Sequence, residues 1–196
     1  MSDAAATKRI FLVRHGETEW SRSWRHTSRT DVALTPEGEQ RAMLLAPRLA
    51  VEQFKLVLTS PMQRATRTSE LAGFGQRAER TPDLMEWDYG SYEGLTTAEI
   101  RVSNPSWTVF HDLVPGGETG EQVAQRCQRV IDRALAVDGD ALFFAHGHVL
   151  RVLTATWLGL SPEDGEHFVL DTGGLSILGF EREARVIKLW NTRSGA

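Results

Sequence analysis

"FLVRHGETEW", residues 11–20, is a short apolar run that stops at an arginine, a histidine and a glycine. Together with Arg9 and Ile10 it gives "RIFLV" (9–13), which reads as a buried strand feeding a loop at Gly16. Arg14 and His15 are hard to bury, so a strand that delivers them at its end must offer them something to meet. Working outward, the pattern recurs. "LTPEGEQRAMLLAPRLAVEQF" (34–54) opens with Thr35 as N-cap and Pro36 at the first helical position, then places Ala42, Leu45, Ala46 and Leu49 at helical spacing. "KLVLTS" (55–60) and "PMQRATRTSELAGF" (61–74) are a second strand and a second Pro-initiated helix. "ALFFA" (141–145), followed past "HGH" by "VLRVLTATWLGL" (149–160), is the third pair. "GLSILGFE" (174–181) and "ARVIKLW" (184–190) read as a hairpin or two neighbouring strands. Strands alternating with helices predict an α/β layer fold with a mostly parallel central sheet and an antiparallel edge.

The 196 residues, 41% of them hydrophobic, suit one domain with a real core. The expectation is a single domain over 1–196 with a small cap-like insertion about 87–118, where Gly, Pro, Trp and acids concentrate. A net charge of −4 gives no general attraction to nucleic acid or to an anionic membrane, and any basic site must be local. The one cysteine, Cys127, excludes an internal disulfide and a cysteine-based zinc site and fits a reducing cytoplasm; it reads as a small residue on a helix. The start "MSDAAATKRI" has no apolar signal-peptide core, and no apolar run reaches the ~18 residues of a membrane span. The expected location is cytoplasmic. Monomer and homodimer both stay open, with Gly173-Gly174 and the strands after them as a conceivable dimer edge.

Ligands of open α/β sheets bind beyond the carboxyl ends of the strands. The first strand delivers Arg14 and His15 there, the second leads through Ser60-Pro61 to Arg64, and the third delivers His146-Gly147-His148. Two guanidiniums and two imidazoles around one point, near a helix N-terminus, suit a phosphoryl group. Each piece alone has a plainer reading. Arg-His-Gly can be a surface turn, Arg64 and Arg67 a solvated helix face pairing with Glu70, and His146 a core histidine or, with His148, half of a metal site. In "LMEWDYGSYEG" (84–94) the acids Glu86, Asp88 and Glu93 lie among aromatics. A carboxyl shielded by Trp87 and Tyr89 would have its pKa raised by desolvation, as a proton donor to a leaving alkoxide requires; Asp88 and Glu93 also read as surface acids.

These pieces, "LVRHGETEW", "LTPEGEQRA", "TSPMQRATRTSEL", "EWDYGSYEG", "PGGE" and "FFAHGH", come in the order of the histidine phosphatase superfamily, also called phosphoglycerate mutase-like, which the chain resembles over nearly its whole length. The resemblance implies a three-layer α/β/α sandwich and a covalent mechanism with neither metal nor cofactor. His15 would be the nucleophile, with its other ring nitrogen held by a backbone carbonyl. Arg14, Arg64 and His146 would surround the equatorial oxygens, and Glu86 would act as acid and then base. Ser21 and Gly147 fall at phosphate-contact positions and Arg25, Thr27, Tyr89 and His148 at substrate-contact positions. Three departures stand out. Ser21 replaces a usual Asn, His148 stands where the mutases have Asn, and Ser28 stands where Gly is usual.

Between 87 and 118 the only Lys or Arg is Arg101, against Asp88, Glu93, Glu99, Asp112 and Glu118. A mutase cap normally carries several basic residues, and the stretch from Glu86 to His146 is short for one. The expected activity is therefore hydrolysis of a phosphomonoester, a small phosphorylated metabolite such as a sugar phosphate or bisphosphate, with Arg22, Arg25, His26 and Arg29 as possible contacts to a distal phosphate. The alternatives are a phosphoglycerate mutase, a non-catalytic phospho-ligand module, and a metallohydrolase using His146, His148 and a carboxylate. Trp107, Phe110 and Leu113 read as helix packing or pocket wall, Trp157 and Trp190 as packing, and Glu118 as an acid near a helix N-terminus.

Overall fold

The computed structural model describes residues 8–193, so the segment "MSDAAAT" (1–7) lies outside the described residues. Among the described residues the strands are β1 (Ile10–Arg14), β2 (Phe54–Thr59), β3 (Glu79–Arg80), β4 (Asp140–Ala145), β5 (Leu175–Glu181) and β6 (Ala184–Thr192). The helices are α1 (Glu19–Arg22), α2 (Pro36–Met43), α3 (Ala46–Leu49), α4 (Gln63–Leu71), α5 (Thr97–Arg101), α6 (Gly120–Ala136) and α7 (Gly147–Leu158). The sheet runs β3-β2-β4-β1-β5-β6. β1, β2, β3 and β4 are mutually parallel, whereas β5 is antiparallel to β1 and β6 to β5. The mostly parallel sheet with an antiparallel edge is the expected one.

Apolar runs without polar alternation mark strands covered on both faces. Ile10 and Leu12 of β1 join Ala141, Phe143 and Ala145 of β4 in one core cluster, under α6 and α7. Phe11 and Val13 join Leu142 and Phe144 in the other, with Leu45, Leu49, Ala72 and Phe74 from around α3 and the end of α4. Period-two alternation thus feeds two apolar layers from the same strands.

Four details differ from expectation. The helix expected over 34–54 breaks after Met43. Pro47, continued in one helix, would clash with the Met43 carbonyl, while at the second position of α3 its missing N–H costs nothing. α1 and β3 carry no periodic signal and go unread in the sequence. Leu113 is exposed, whereas Trp107 and Phe110 are buried beside Ile100 and Val109 in the same cluster as α6 and α7. β5 is interior to the sheet, so only β6 is an edge among the strands after Gly174. Trp157 is buried against Phe180, and no helix among the described residues is long and apolar enough to cross a membrane.

Candidate active site

β1 ends where Arg14 and His15 leave the sheet, and Gly16 fixes the turn. A Cβ on Gly16 would stand 2.4 Å from the Gly38 carbonyl oxygen, so the His15 loop and the start of α2 approach as closely as backbone allows. Thr35 caps α2 through the Gly38 N–H at 3.0 Å, as the sequence predicts.

His15 is buried, and its Nδ1 lies 2.7 Å from the Gly16 carbonyl. The carbonyl can only accept, so Nδ1 holds the hydrogen and Nε2 holds the lone pair. Burial, then the Arg64 and Arg14 charges, push the His15 pKa well below that of a free imidazole. Arg14 donates from Nη1 to the Leu170 carbonyl at 2.5 Å, while its buried Nε has no partner among the described residues. Gly147 leaves room for that guanidinium: a Cβ there would lie 3.2 Å from Arg14 Cζ.

His146 packs edge-on against His15, with ring centroids 5.1 Å apart. Its Nδ1 accepts from Arg64 Nε at 3.0 Å, so Nε2 carries the hydrogen and donates to Ser60 Oγ at 2.7 Å. Arg64 is fully buried and also donates to the carbonyls of Thr27, Ser28 and Thr30. Both residues therefore stand behind His15 as a hydrogen-bonded charge, rather than on the cleft wall.

Glu86 is buried next to Trp87 and Tyr89, and its carboxylate is gripped by main chain. Oε1 accepts from Trp87 N at 2.9 Å and Val149 N at 2.8 Å, and Oε2 accepts from His148 N at 3.0 Å. The carboxylate thus caps α7, the helix that His146 begins. Behind it, Arg126 donates to the Asp83 and Met85 carbonyls and to both Glu118 oxygens, and Glu118 accepts from Asp88 N. Glu118 is thus more than an acid near a helix end, since with Arg126 it clamps the chain on either side of Glu86. The Ser28 hydroxyl bonds the Glu86 carbonyl at 3.2 Å, a contact that Gly would lack.

A cleft of about 800 Å³ opens over these groups. Its lining includes Arg14, His15, Glu86, Tyr89, Gly147, His148 and Arg151. The Tyr89 hydroxyl and His148 Nδ1 share a hydrogen bond of 2.6 Å. Burial raises the tyrosine pKa and lowers that of the histidine, so both are neutral near pH 7. Thr27 and Arg25 also line the cleft, with Thr27 Oγ1 bonded to the Arg25 carbonyl and Arg25 bonded to the Gly94 carbonyl. Ser21 lines it too, but its hydroxyl and N–H are engaged with Thr18 in a capping box at the start of α1. Arg151, unread in the sequence, donates to the Gly165 and Glu166 carbonyls and stacks on Phe110. Its signal is a lone arginine in an apolar helix, one turn past Gly147. Ser60 has no comparable signal, because its partner is distant in the chain. Among the described residues no three His, Cys, Asp or Glu side chains converge as metal ligands, and both His146 nitrogens are already bonded.

Comparison with known proteins matches this arrangement to one family. The model of the histidine phosphatase superfamily (branch 1) matches residues 10–193. An acid phosphatase of Mycobacterium tuberculosis is 41% identical over 181 residues, covering 90% of this chain and 89% of that one. A sedoheptulose 1,7-bisphosphatase of Saccharomyces cerevisiae is 35% identical over 189 residues, covering 80% and 70%. Among solved structures, the product of a Mycobacterium tuberculosis open reading frame superposes with a TM-score of 0.91 at 39% identity, covering 95% of this chain and 98% of that one. With the match spanning all but a few of the described residues, the chain belongs to the histidine phosphatase superfamily.

Proposed function

We propose that the protein is a metal-independent phosphomonoesterase that works through a phosphohistidine on small phosphorylated metabolites, sugar phosphates or bisphosphates among them. The observation that carries this reading is the pair at the end of β1: a neutral His15 whose lone pair is fixed on Nε2, beside an Arg14 whose buried Nε lacks a partner. An anion at that nitrogen satisfies it and lies against the nucleophile. The relatives named acid phosphatase and sedoheptulose 1,7-bisphosphatase support hydrolysis as the outcome.

In this reading His15 Nε2 attacks phosphorus in line, forming the N–P bond as the P–O bond to the leaving group breaks. Glu86 gives its proton to that oxygen. It then takes a proton from the water that attacks the phosphohistidine, releasing phosphate and restoring both residues. Arg14 binds the phosphoryl oxygens, and Arg64 offsets their charge from behind, its orientation held by His146. The neutral His148 ring, held by Tyr89, and the Arg151 charge face the substrate from α7. The segment 87–118 is the cap of this site, closing over it with Tyr89 and α5.

Phosphate release from p-nitrophenyl phosphate in the presence of chelator, wild type against His15→Ala, tests the reading. Chelator-resistant turnover that vanishes in the variant is expected, with an acid-labile phosphoryl group trapped on His15. Turnover retained without His15, or lost to chelator and restored by zinc, refutes it. Phosphoryl transfer between phosphoglycerates without net phosphate release would make the protein a mutase.

A further inference from the structure

The outer half of the cleft is built differently from its floor. Two large apolar residues line it while standing in solvent, Trp24 at 84% exposure and Val169 at 65%. Trp24 is held at φ 59°, the left-handed region that glycine enters freely and a bulky residue only under strain. So exposed a side chain makes little packing to offset the strain, and retained strain of this kind concentrates where ligands bind.

The basic residues at this end are already matched. Arg22 pairs with Glu17 at 2.8 Å and with Glu19 and Glu37 at 3.1 Å. Arg25 pairs with Glu99 at 3.4 Å, and Arg29 with Asp88 at 2.6 Å. His26 is packed between Tyr89 and Trp107, and burial brings its pKa down to about 4, so it is uncharged at neutral pH. Of the arginines that line the cleft, Arg14 and Arg151 have no carboxylate partner among the described residues, and both lie close enough to Glu86 to feel its charge, which places them at the phosphoryl end. A second phosphoryl group in the outer cleft would meet no unmatched cation and an apolar wall.

We propose that the outer cleft receives the uncharged, ring-bearing body of the substrate, with Trp24 stacked on the ring, so that esters with one phosphoryl group are taken in preference to bisphosphates. This specificity rests on the phosphomonoesterase reading of the His15 centre and narrows it.

The test is steady-state kinetics on phenyl and naphthyl phosphate, whose leaving groups are similarly acidic but differ in ring area, and on a hexose monophosphate and its bisphosphate. Wild type is expected to show a KM for the naphthyl ester about tenfold below that for the phenyl ester, the scale of one aromatic stack. Trp24→Gly should bring the two KM values within about twofold, and Trp24→Phe should fall between. Glycine is what the backbone at φ 59° prefers, so the variant keeps its thermal midpoint, which is recorded alongside. The hexose bisphosphate is expected to show a kcat/KM no higher than the monophosphate. A KM ratio that Trp24→Gly does not move, or a clear preference for the bisphosphate, overturns the proposal and leaves the phosphomonoesterase standing. Failure of the wild type to hydrolyse any of the four esters removes the phosphomonoesterase reading and this proposal with it.

Discussion

Replacing Arg126 by Met removes the clamp behind Glu86 and keeps most of the side-chain volume. The arginine donates from Nε and Nη2 to Glu118 at 2.9 and 3.0 Å, and from Nη1 to the Asp83 and Met85 carbonyls at 3.0 and 2.5 Å. Its side chain is 7% exposed and that of Glu118 is 26%. Stranding one partner of a buried pair costs about 3–5 kcal/mol, and the lower end applies because water can reach Glu118, so the expected loss is about 3 kcal/mol. For a chain of this size about 2–4 °C accompanies each kcal/mol, which puts the thermal midpoint about 6–12 °C lower at neutral pH. Replacing Glu118 by Met as well should recover part of the loss, because no unpaired charge is then left buried. The function should change in a particular way. With residues 83–88 loosened, Glu86 is less well placed to protonate the leaving oxygen, so alkyl phosphates slow more than aryl phosphates. Melting followed by circular dichroism and turnover on esters of graded leaving-group acidity measure both effects. A midpoint within about 2 °C of wild type, together with an unchanged dependence on the leaving group, would refute the clamp.

Glu86→Gln keeps an acceptor for one of the two α7 N–H groups and the side-chain shape, and it should slow esters of poor leaving groups far more than p-nitrophenyl phosphate; equal loss on both would sink Glu86 as the acid. Gly147→Ala presses a methyl against an Arg14 guanidinium that its bond to Leu170 keeps from yielding, so inhibition by inorganic phosphate should weaken by on the order of tenfold; an unchanged inhibition constant would count against Arg14 as the anion's partner. In acid the protein should lose stability. His15, His26, His146 and His148 all have folded pKa values below the unfolded ~6.5, so as pH falls below that value the unfolded chain takes up protons that the folded one refuses. His26 alone, at about 4, removes about 2 kcal/mol between pH 7 and pH 5, and a thermal midpoint that does not fall over that interval would show the imidazoles to be charged in the fold.

Legibility in the sequence follows the range of the interactions. The α/β alternation, the Thr35 cap and the emergence of Arg14 and His15 from β1 depend on neighbours in the chain and on burial pattern, and both can be read locally. Glu86 stands out because an acid flanked by Trp87 and Tyr89 is chemically unusual. Most of its main-chain grip is invisible in the sequence, because two of its three N–H donors belong to α7, about sixty positions on. Ser60 on His146 and the pairing of Arg29 with Asp88 are likewise contacts between distant segments. Two signals were available and went unread. Arg126 falls on the same face of α6 as Val123, Cys127 and Val130, and a charge on an apolar face needs a partner. Thr18 and Ser21, three apart before a short helix, have capping spacing, which gives the serine hydroxyl a local task.

The sheet order also bears on how the chain is made. β1 is made before the other described strands, yet its two neighbours in the sheet are β4 and β5. Ile10 pairs with Ala141 on one side and with Leu178 on the other. Through most of synthesis, then, the run Ile10–Val13 has neither partner, and its apolar residues stay available to chaperones or to other nascent chains. β2 can pair locally with β3, but it meets the His15 strand only when residues 140–145 insert between them. His15, Arg64 and His146 are thus brought together in a single late event of long loop closure, which slows folding. A nascent or truncated chain that stops before β4 carries the Arg-His-Gly sequence but no catalytic centre.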